Sequence, residues 1–335
     1  MIKDKFNRSF KDLRVSVTDR CNFRCSYCMP AEIYGDRYQF LSRKDLLSFE
    51  EITRLVRICV GLGSKKIRLT GGEPLVRSDI EELVSLLSSI NGVKDLAMTT
   101  NGYMLAEKAD VLKSAGLDRL TISLDTLDED VFKEMNGRNF SNKKIFAGID
   151  AAERLGYKPI KINAVVKRGV NEHTILDLAR YFKERGHIAR FIEFMDVGTI
   201  NKWNLDQVVS AAEIFEIINS ELPIEPVESN YPGEVALRYR YSDGSGEIGI
   251  IASVTKPFCG NCTRLRLSPE GTIYTCLFSN AGTDLREPLR SGVSDEDIIR
   301  IINGVWGSRE DTYSEDRAYL SVPIKDKVEM YHIGG

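Results

Sequence analysis

The stretch Arg20–Pro30, RCNFRCSYCMP, sets Cys21, Cys25 and Cys28 in a C-x₃-C-x₂-C spacing. Three thiolates that close in sequence can wrap one compact soft-metal centre. Iron–sulfur cubanes usually take four cysteines, so a cluster held by three leaves one iron open. An open position is where a metal centre binds a substrate or cofactor and acts on it. Tyr27, between the last two cysteines, puts an aromatic ring beside the occupant. Zinc knuckles usually pair C-x₂-C with a second pair, and the first gap here is one residue longer. Disulfides suit a secreted chain, and the opening MIKDKFNRSF carries no signal-peptide core.

A second triad, Cys259, Cys262 and Cys276, is spaced C-x₂-C-x₁₃-C. The last is reached through RLRLSPEGTIYTC, which reads as a strand, a Ser-Pro-Glu-Gly turn and a returning strand. From spacing alone, zinc and iron–sulfur stand level here. Arg264 and Arg266, two apart on the outgoing strand, project to one face and suit phosphate or a planar acceptor edge. The seventh cysteine, Cys59, falls in the apolar stripe of a helix and reads as core. Only three histidines occur and none lies in a motif, so histidine acid–base chemistry is not expected.

The elements that must position these groups alternate as strands and helices. Strands are expected at 13–17, 65–70, near 96–100, 119–125, 160–166 and 188–195, with helices between them. Ser48 with Glu51, Ser78 with Glu81 and Ser210 with Glu213 read as helix-opening cap pairs. Six such repeats argue for a parallel sheet, either open or a partial barrel. The rhythm breaks after Gly198, and Pro223, Pro226 and Pro232 punctuate the chain beyond it. Two hairpin strands are expected at 235–242 and 247–254. The chain is therefore read as a barrel region, 1–200, and a smaller C-terminal region, 201–335. Polar residues on the strand faces, among them Arg14, Arg68, Thr99, Thr121, Ser123, Lys161, Asn163 and Arg190, suggest an interior built for an anion. A net charge of −3 argues against a general nucleic-acid binder but not against a local basic pocket. No apolar run is long enough to span a bilayer, and free cysteines suit the cytoplasm.

CNFRCSYC matches the signature of radical S-adenosylmethionine (SAM) enzymes, and Gly71–Pro74, GGEP, matches their methionine-binding motif. With the second triad, TRLRL after its second cysteine, FIEFMDVG at 191–198 and the terminal Gly334-Gly335, the whole chain resembles the GTP 3′,8-cyclase family of molybdenum cofactor biosynthesis. The resemblance implies an α/β fold, a partial (β/α)₆ TIM-like barrel with a smaller C-terminal cluster-binding region. It implies two 4Fe–4S clusters, one on Cys21, Cys25 and Cys28 and one on Cys259, Cys262 and Cys276. SAM would sit on the first, touched by Tyr27, Gly72, Ser123 and Met195. GTP would sit at the second, touched by Arg14, Arg68, Thr99, Lys161, Arg190, Arg264 and Arg266, the last two also acting in catalysis. The implied reaction begins with a 5′-deoxyadenosyl radical taking hydrogen from C3′ of GTP and ends in (8S)-3′,8-cyclo-7,8-dihydro-GTP. It needs an electron donor, and a cyclic pyranopterin monophosphate synthase takes the product. The terminal double glycine would reach the active site, and the enzyme would be a monomer or homodimer. Two other readings stay open: another radical SAM enzyme with an auxiliary cluster, such as a peptide-modifying one, and a non-catalytic zinc-binding protein.

Overall fold

The structure, a computed structural model, describes residues 2–317 and 326–334. Gly335 lies outside the described residues. Six parallel strands alternate with helices: β1 (Asp12–Ser16), α1 (Phe49–Gly61), β2 (Lys66–Thr70), α2 (Ile80–Ser88), β3 (Asp95–Thr100), α3 (Leu105–Ser114), β4 (Arg119–Ser123), α4 (Glu129–Asn136), α5 (Lys143–Arg154), β5 (Lys161–Val166), α6 (Ile175–Glu184) and β6 (Ile188–Glu193). Then come α7 (Ala211–Asn219), β7 (Ile224–Val227), β8 (Leu237–Tyr241), β9 (Glu247–Ile251), β10 (Arg264–Leu267), β11 (Thr272–Tyr274) and β12 (Thr283–Asp284). The chain finishes with α8 (Arg286–Arg290), α9 (Asp295–Gly307), α10 (Tyr313–Asp316) and α11 (Met330–Ile333).

All twelve strands join one open sheet in the order β12-β11-β10-β1-β2-β3-β4-β5-β6-β9-β8-β7. The later strands extend both edges of the sheet. β10 lies parallel to β1 and β9 parallel to β6, each continuing into antiparallel partners outside. The result is a partial barrel with eight parallel strands. Pro226 falls inside β7, where an interior strand would lose a ladder bond. β7 is the edge strand, with β8 on one side only, which is where a strand tolerates proline. Among the described residues no helix is long and apolar enough to cross a membrane.

Strand alternation divides the faces. Leu13, Val15, Ile67, Leu69, Ile162 and Phe191 are buried in the core against the helices. Arg14, Arg68, Lys161 and Arg190 alternate with them and face the other side, lining a cavity. α1 opens with the expected capping box: Ser48 Oγ accepts from Glu51 N at 3.1 Å, and Glu51 Oε2 accepts from Ser48 N at 2.7 Å. The same box, Ser210 with Glu213, opens α7. The expected Ser78–Glu81 cap does not form. Asp79 occupies the cap position in the left-handed region at φ 57°, without a side-chain cap bond, so α2 starts at Ile80.

Parallel topology sets the ends of the site. The Cys21–Cys28 loop follows β1 and lies at the carboxyl end of the strands. Cys262 precedes β10, which runs with β1, and Cys276 follows β11, which runs against it. Both therefore lie at the amino end. A five-residue strand spans about 17 Å, which sets the scale of the separation between the triads.

Candidate active site

At the carboxyl end, the cysteine loop is folded on its own backbone, with Cys28 N and Met29 N both donating to Cys25 O at 2.9 and 2.8 Å. Arg24 locks it: Nη1 donates to Cys21 O and Phe23 O, both at 2.7 Å, and Nε donates to Tyr34 O at 2.5 Å. Phe23 anchors the loop among Tyr103, Phe132 and Phe140. Burial, and then the Glu73 charge, push the Cys21 thiol up to about 12, and burial also raises Cys25 and Cys28. Such a loop keeps its cysteines as thiols until a cationic centre takes them as thiolates. Among the described residues no three His, Cys, Asp or Glu side chains converge closely enough to hold one metal ion. The donor set itself, three soft sulfur ligands in one loop, is the kind that iron–sulfur clusters take.

The GGEP turn is pressed against this loop. Gly72 N donates to Thr18 O and Glu73 N to Arg20 O, both at 2.8 Å. A Cβ on Gly72 would stand 2.3 Å from Arg20 O, so only glycine allows the approach. Gly71 has φ +152°, and its Cβ would stand 2.6 Å from Thr18 O. Glu73 is fully buried and gathers three donors: Leu75 N at 3.0 Å, Thr100 Oγ1 at 2.6 Å and Asn101 N at 2.6 Å. Asn101 then donates through Nδ2 to Asn22 Oδ1 at 2.7 Å. The loops after β1, β2 and β3 are thus one hydrogen-bonded unit. Tyr27 joins the unit to β4 and β5: its hydroxyl donates to Asp125 Oδ2 at 2.7 Å, and Val165 N donates to Asp125 Oδ1 at 2.9 Å.

Burial pushes the Glu73 carboxyl up to about 7, against the pull of its three donors. Its folded pKa lies above the ordinary value near 4.3, so the fold binds this proton more tightly than the unfolded chain does. Stability from this group is therefore lost as pH rises from about 4.5 to 7 and is flat above that. A Glu73→Gln protein is expected to lack that slope in urea unfolding across this range. It is also expected to be about 2 kcal/mol less stable, because an amide NH₂ faces donors it cannot satisfy.

A cavity opens from the second triad along the polar strand faces. It brings together Arg14, Arg68, Thr99, Lys161, Arg190, Met195, Arg264, Arg266 and all three C-terminal cysteines. Arg266 on β10, Arg14 on β1 and Arg68 on β2 are in register across three adjacent strands. Arg68 Nη1 donates to Thr99 Oγ1 and Thr121 Oγ1, both at 3.0 Å. Burial and then neighbouring arginines lower Arg14 well below its ordinary value and bring Arg266 to about 10, Arg190 to about 9 and Lys161 to about 8. Among the described residues, Arg190 Nε and Asn163 Oδ1 are buried without a hydrogen-bond partner. Crowded cations and orphaned polar atoms in a cavity fit a polyanion. Ser123 sits at the end of β4, in register with Asn163 of β5.

At the amino end, Cys262 Sγ accepts from Arg264 Nη2 at 3.0 Å. Burial pushes the Cys262 thiol up, but Arg264 and Arg309 more than offset it and bring it down to about 6. Cys276 is held up to about 12 by burial and Asp311. Cys262 is thus poised as a thiolate at neutral pH, and the triad suits the same kind of soft metal centre. Two supports lay outside the sequence reading. Arg8 Nη1 donates to Cys259 O and Asp311 O, both at 2.8 Å, and Arg309 Nη1 donates to Cys262 O at 2.8 Å. Arg8 and Arg309 lie in no motif. A buried charge offers a sequence signal only once its strand or loop is known. Gly334 also reaches the cavity wall, its carbonyl accepting from Arg266 Nη1.

Residues 15–182 match the Radical SAM superfamily model and residues 187–315 the Molybdenum Cofactor Synthesis C model. The chain is 49% identical to a GTP 3′,8-cyclase of Acidothermus cellulolyticus, covering 100% of this chain and 99% of that one. It is 47% identical to the GTP 3′,8-cyclases of Staphylococcus carnosus and Xanthomonas axonopodis pv. citri, with the same two coverages. Among solved structures, Streptococcus suis SuiB bound to S-adenosylmethionine aligns with a TM-score of 0.62 at 17% identity, over 90% of this chain and 69% of that one. The fold, the two family models and near-complete relatives at this identity agree: the chain belongs to the GTP 3′,8-cyclase family of the radical SAM superfamily.

Proposed function

We propose that this protein is a cytoplasmic enzyme that converts GTP to (8S)-3′,8-cyclo-7,8-dihydro-GTP, the first step of molybdenum cofactor biosynthesis. The observation that carries the reading is the single cavity that joins a cationic strand face to a second cysteine triad, opposite the cysteine loop after β1. Cys21, Cys25 and Cys28 would hold one 4Fe–4S cluster, and Cys259, Cys262 and Cys276 a second. With SAM held on the first, that centre would supply, given one electron from a donor, the radical chemistry that acts at C3′ of GTP.

The chain's own residues do the rest. Gly71 and Gly72 let the SAM-side loop pack against the cysteine loop, and Tyr27 is steadied by Asp125. Ser123 and Met195 would complete the SAM side. Arg14, Arg68, Lys161, Arg190 and Arg266, with Thr99, would grip the triphosphate and base and keep C3′ and C8 in reach of one another. Arg264, already on Cys262, would orient the guanine edge at the second cluster. The product would pass to a cyclic pyranopterin monophosphate synthase.

The test is anaerobic incubation of iron-loaded protein with dithionite, SAM and GTP. 5′-Deoxyadenosine is expected to form in step with cyclised GTP and to drop to a background level without GTP. Equal release with and without GTP would leave the radical chemistry and overturn the substrate. Zinc in place of iron and sulfide after anaerobic preparation would overturn both.

A further inference from the structure

The C-terminal segment, residues 326–334, is strapped across the carboxyl end of the barrel. Lys327 Nζ, nearly buried, donates to Asp196 Oδ2 at 3.0 Å and to Tyr313 Oη at 3.2 Å. Glu329 Oε1 accepts from Thr199 N at 2.8 Å. His332 Nε2 lies 2.9 Å from Glu270 Oε1, on the turn between β10 and β11. These ties hold the segment to the loop after β6 on one side and to the C-terminal hairpin on the other.

Tyr331 is the residue that this strap delivers to the cysteine loop. It is 6% exposed and forms a small apolar cluster with Met29 and Tyr34, against which Cys21 and Cys28 pack. Its ring meets Tyr34 edge-on at 5.0 Å, and its hydroxyl lies 3.1 Å from that of Tyr38. Tyr38 is 37% exposed, so the contacts run from the cysteines through Tyr331 to the surface. An aromatic ring is a large apolar screen with little freedom to move once packed.

We propose that Tyr331 is the outer wall of the N-terminal centre, and that docking of residues 327–334 is what closes that centre to solvent. The proposal rests on the reading that Cys21, Cys25 and Cys28 hold an iron–sulfur cluster. Tyr331 here is a positioning and shielding residue, not a catalytic one.

Iron release to a ferrous chelator tests it in anaerobically loaded full-length protein. A background with Cys259, Cys262 and Cys276 changed to Ser reports the N-terminal centre alone. Tyr331→Ala is expected to release iron about tenfold faster, since loss of the ring lowers the cost of local opening. Tyr331→Phe keeps the ring and is expected to stay at the unmodified rate. Lys327→Met, which frees the strap without touching the cysteines, should approach the Tyr331→Ala rate. Unchanged release from Tyr331→Ala overturns the wall, and unchanged release from Lys327→Met overturns the role of docking. In the converse background, with Cys21, Cys25 and Cys28 changed to Ser, Tyr331→Ala should leave the C-terminal iron undisturbed. Faster release there too would mean general loosening and overturn the local role. Absence of iron from the first background would overturn the cluster reading itself, and this inference with it.

Discussion

Cys276→Ala is expected to abolish cyclisation while iron still assembles on Cys21, Cys25 and Cys28. Topology is the first reason. Cys276 follows β11 and Cys262 precedes β10, so the pair sits at the amino end of the strands, away from the loop after β1. Removing one thiol there leaves the Arg24 and Asn101 ties of the first loop intact. It does remove a third of the second triad, on the cavity wall where Arg264 and Arg266 also stand. Changing a group that only supports a metal ligand typically costs about 10- to 100-fold in activity, and losing a ligand costs more. Iron should fall to about half, from two four-iron clusters to one, and SAM should bind as before by titration. Full turnover in this variant would mean that the second triad serves no centre needed for the reaction.

The two triads were legible because cysteine spacing is local, and so was the rhythm of six strands and helices. The face of each strand was legible too, since side chains alternate with a period of two. Register was not. That Arg266, Arg14 and Arg68 stand in one row depends on β10 lying beside β1, a pairing between segments far apart in the sequence. Nothing in RLRL itself names that neighbour. The supports were hidden for the same reason: Arg8 and the Cys259 carbonyl it binds are 251 residues apart. Asn101, just past β3, likewise ties its loop to Asn22, a partner 79 residues away. The cap of α2 went astray because Ser78 and Glu81 carry the right types while the backbone enters the helix through Asp79 in the left-handed region.

The row of arginines leads to the other large effect, a trade of substrate affinity against stability at Arg14. Arg14 lies between Arg266 and Arg68, and these neighbours, after burial, lower its pKa well below the ordinary value. The opposing charge is Asp12 on its own strand, the weakest of these influences. Without substrate, then, the fold holds these cations together against their repulsion. Arg14→Met removes one of them at similar volume and is expected to stabilise the GTP-free protein by about 1 kcal/mol, in line with apolar replacement of buried charges. If this row grips the triphosphate as proposed, the same change would remove charge-assisted hydrogen bonds to it, each about 1.5–3 kcal/mol, and affinity for GTP should fall by about 10- to 100-fold. Urea unfolding reads the first effect and equilibrium binding of GTP the second. High salt should narrow the stability gap, because it screens the repulsion that Arg14 adds. SAM affinity should stay unchanged, since Gly72, Tyr27 and Asp125 belong to the loops at the carboxyl end of the strands. If Arg14→Met bound GTP as tightly as the unmodified protein, the arginine row would not be the triphosphate site. If it were also less stable without GTP, the row would owe its place to packing and not to an anion.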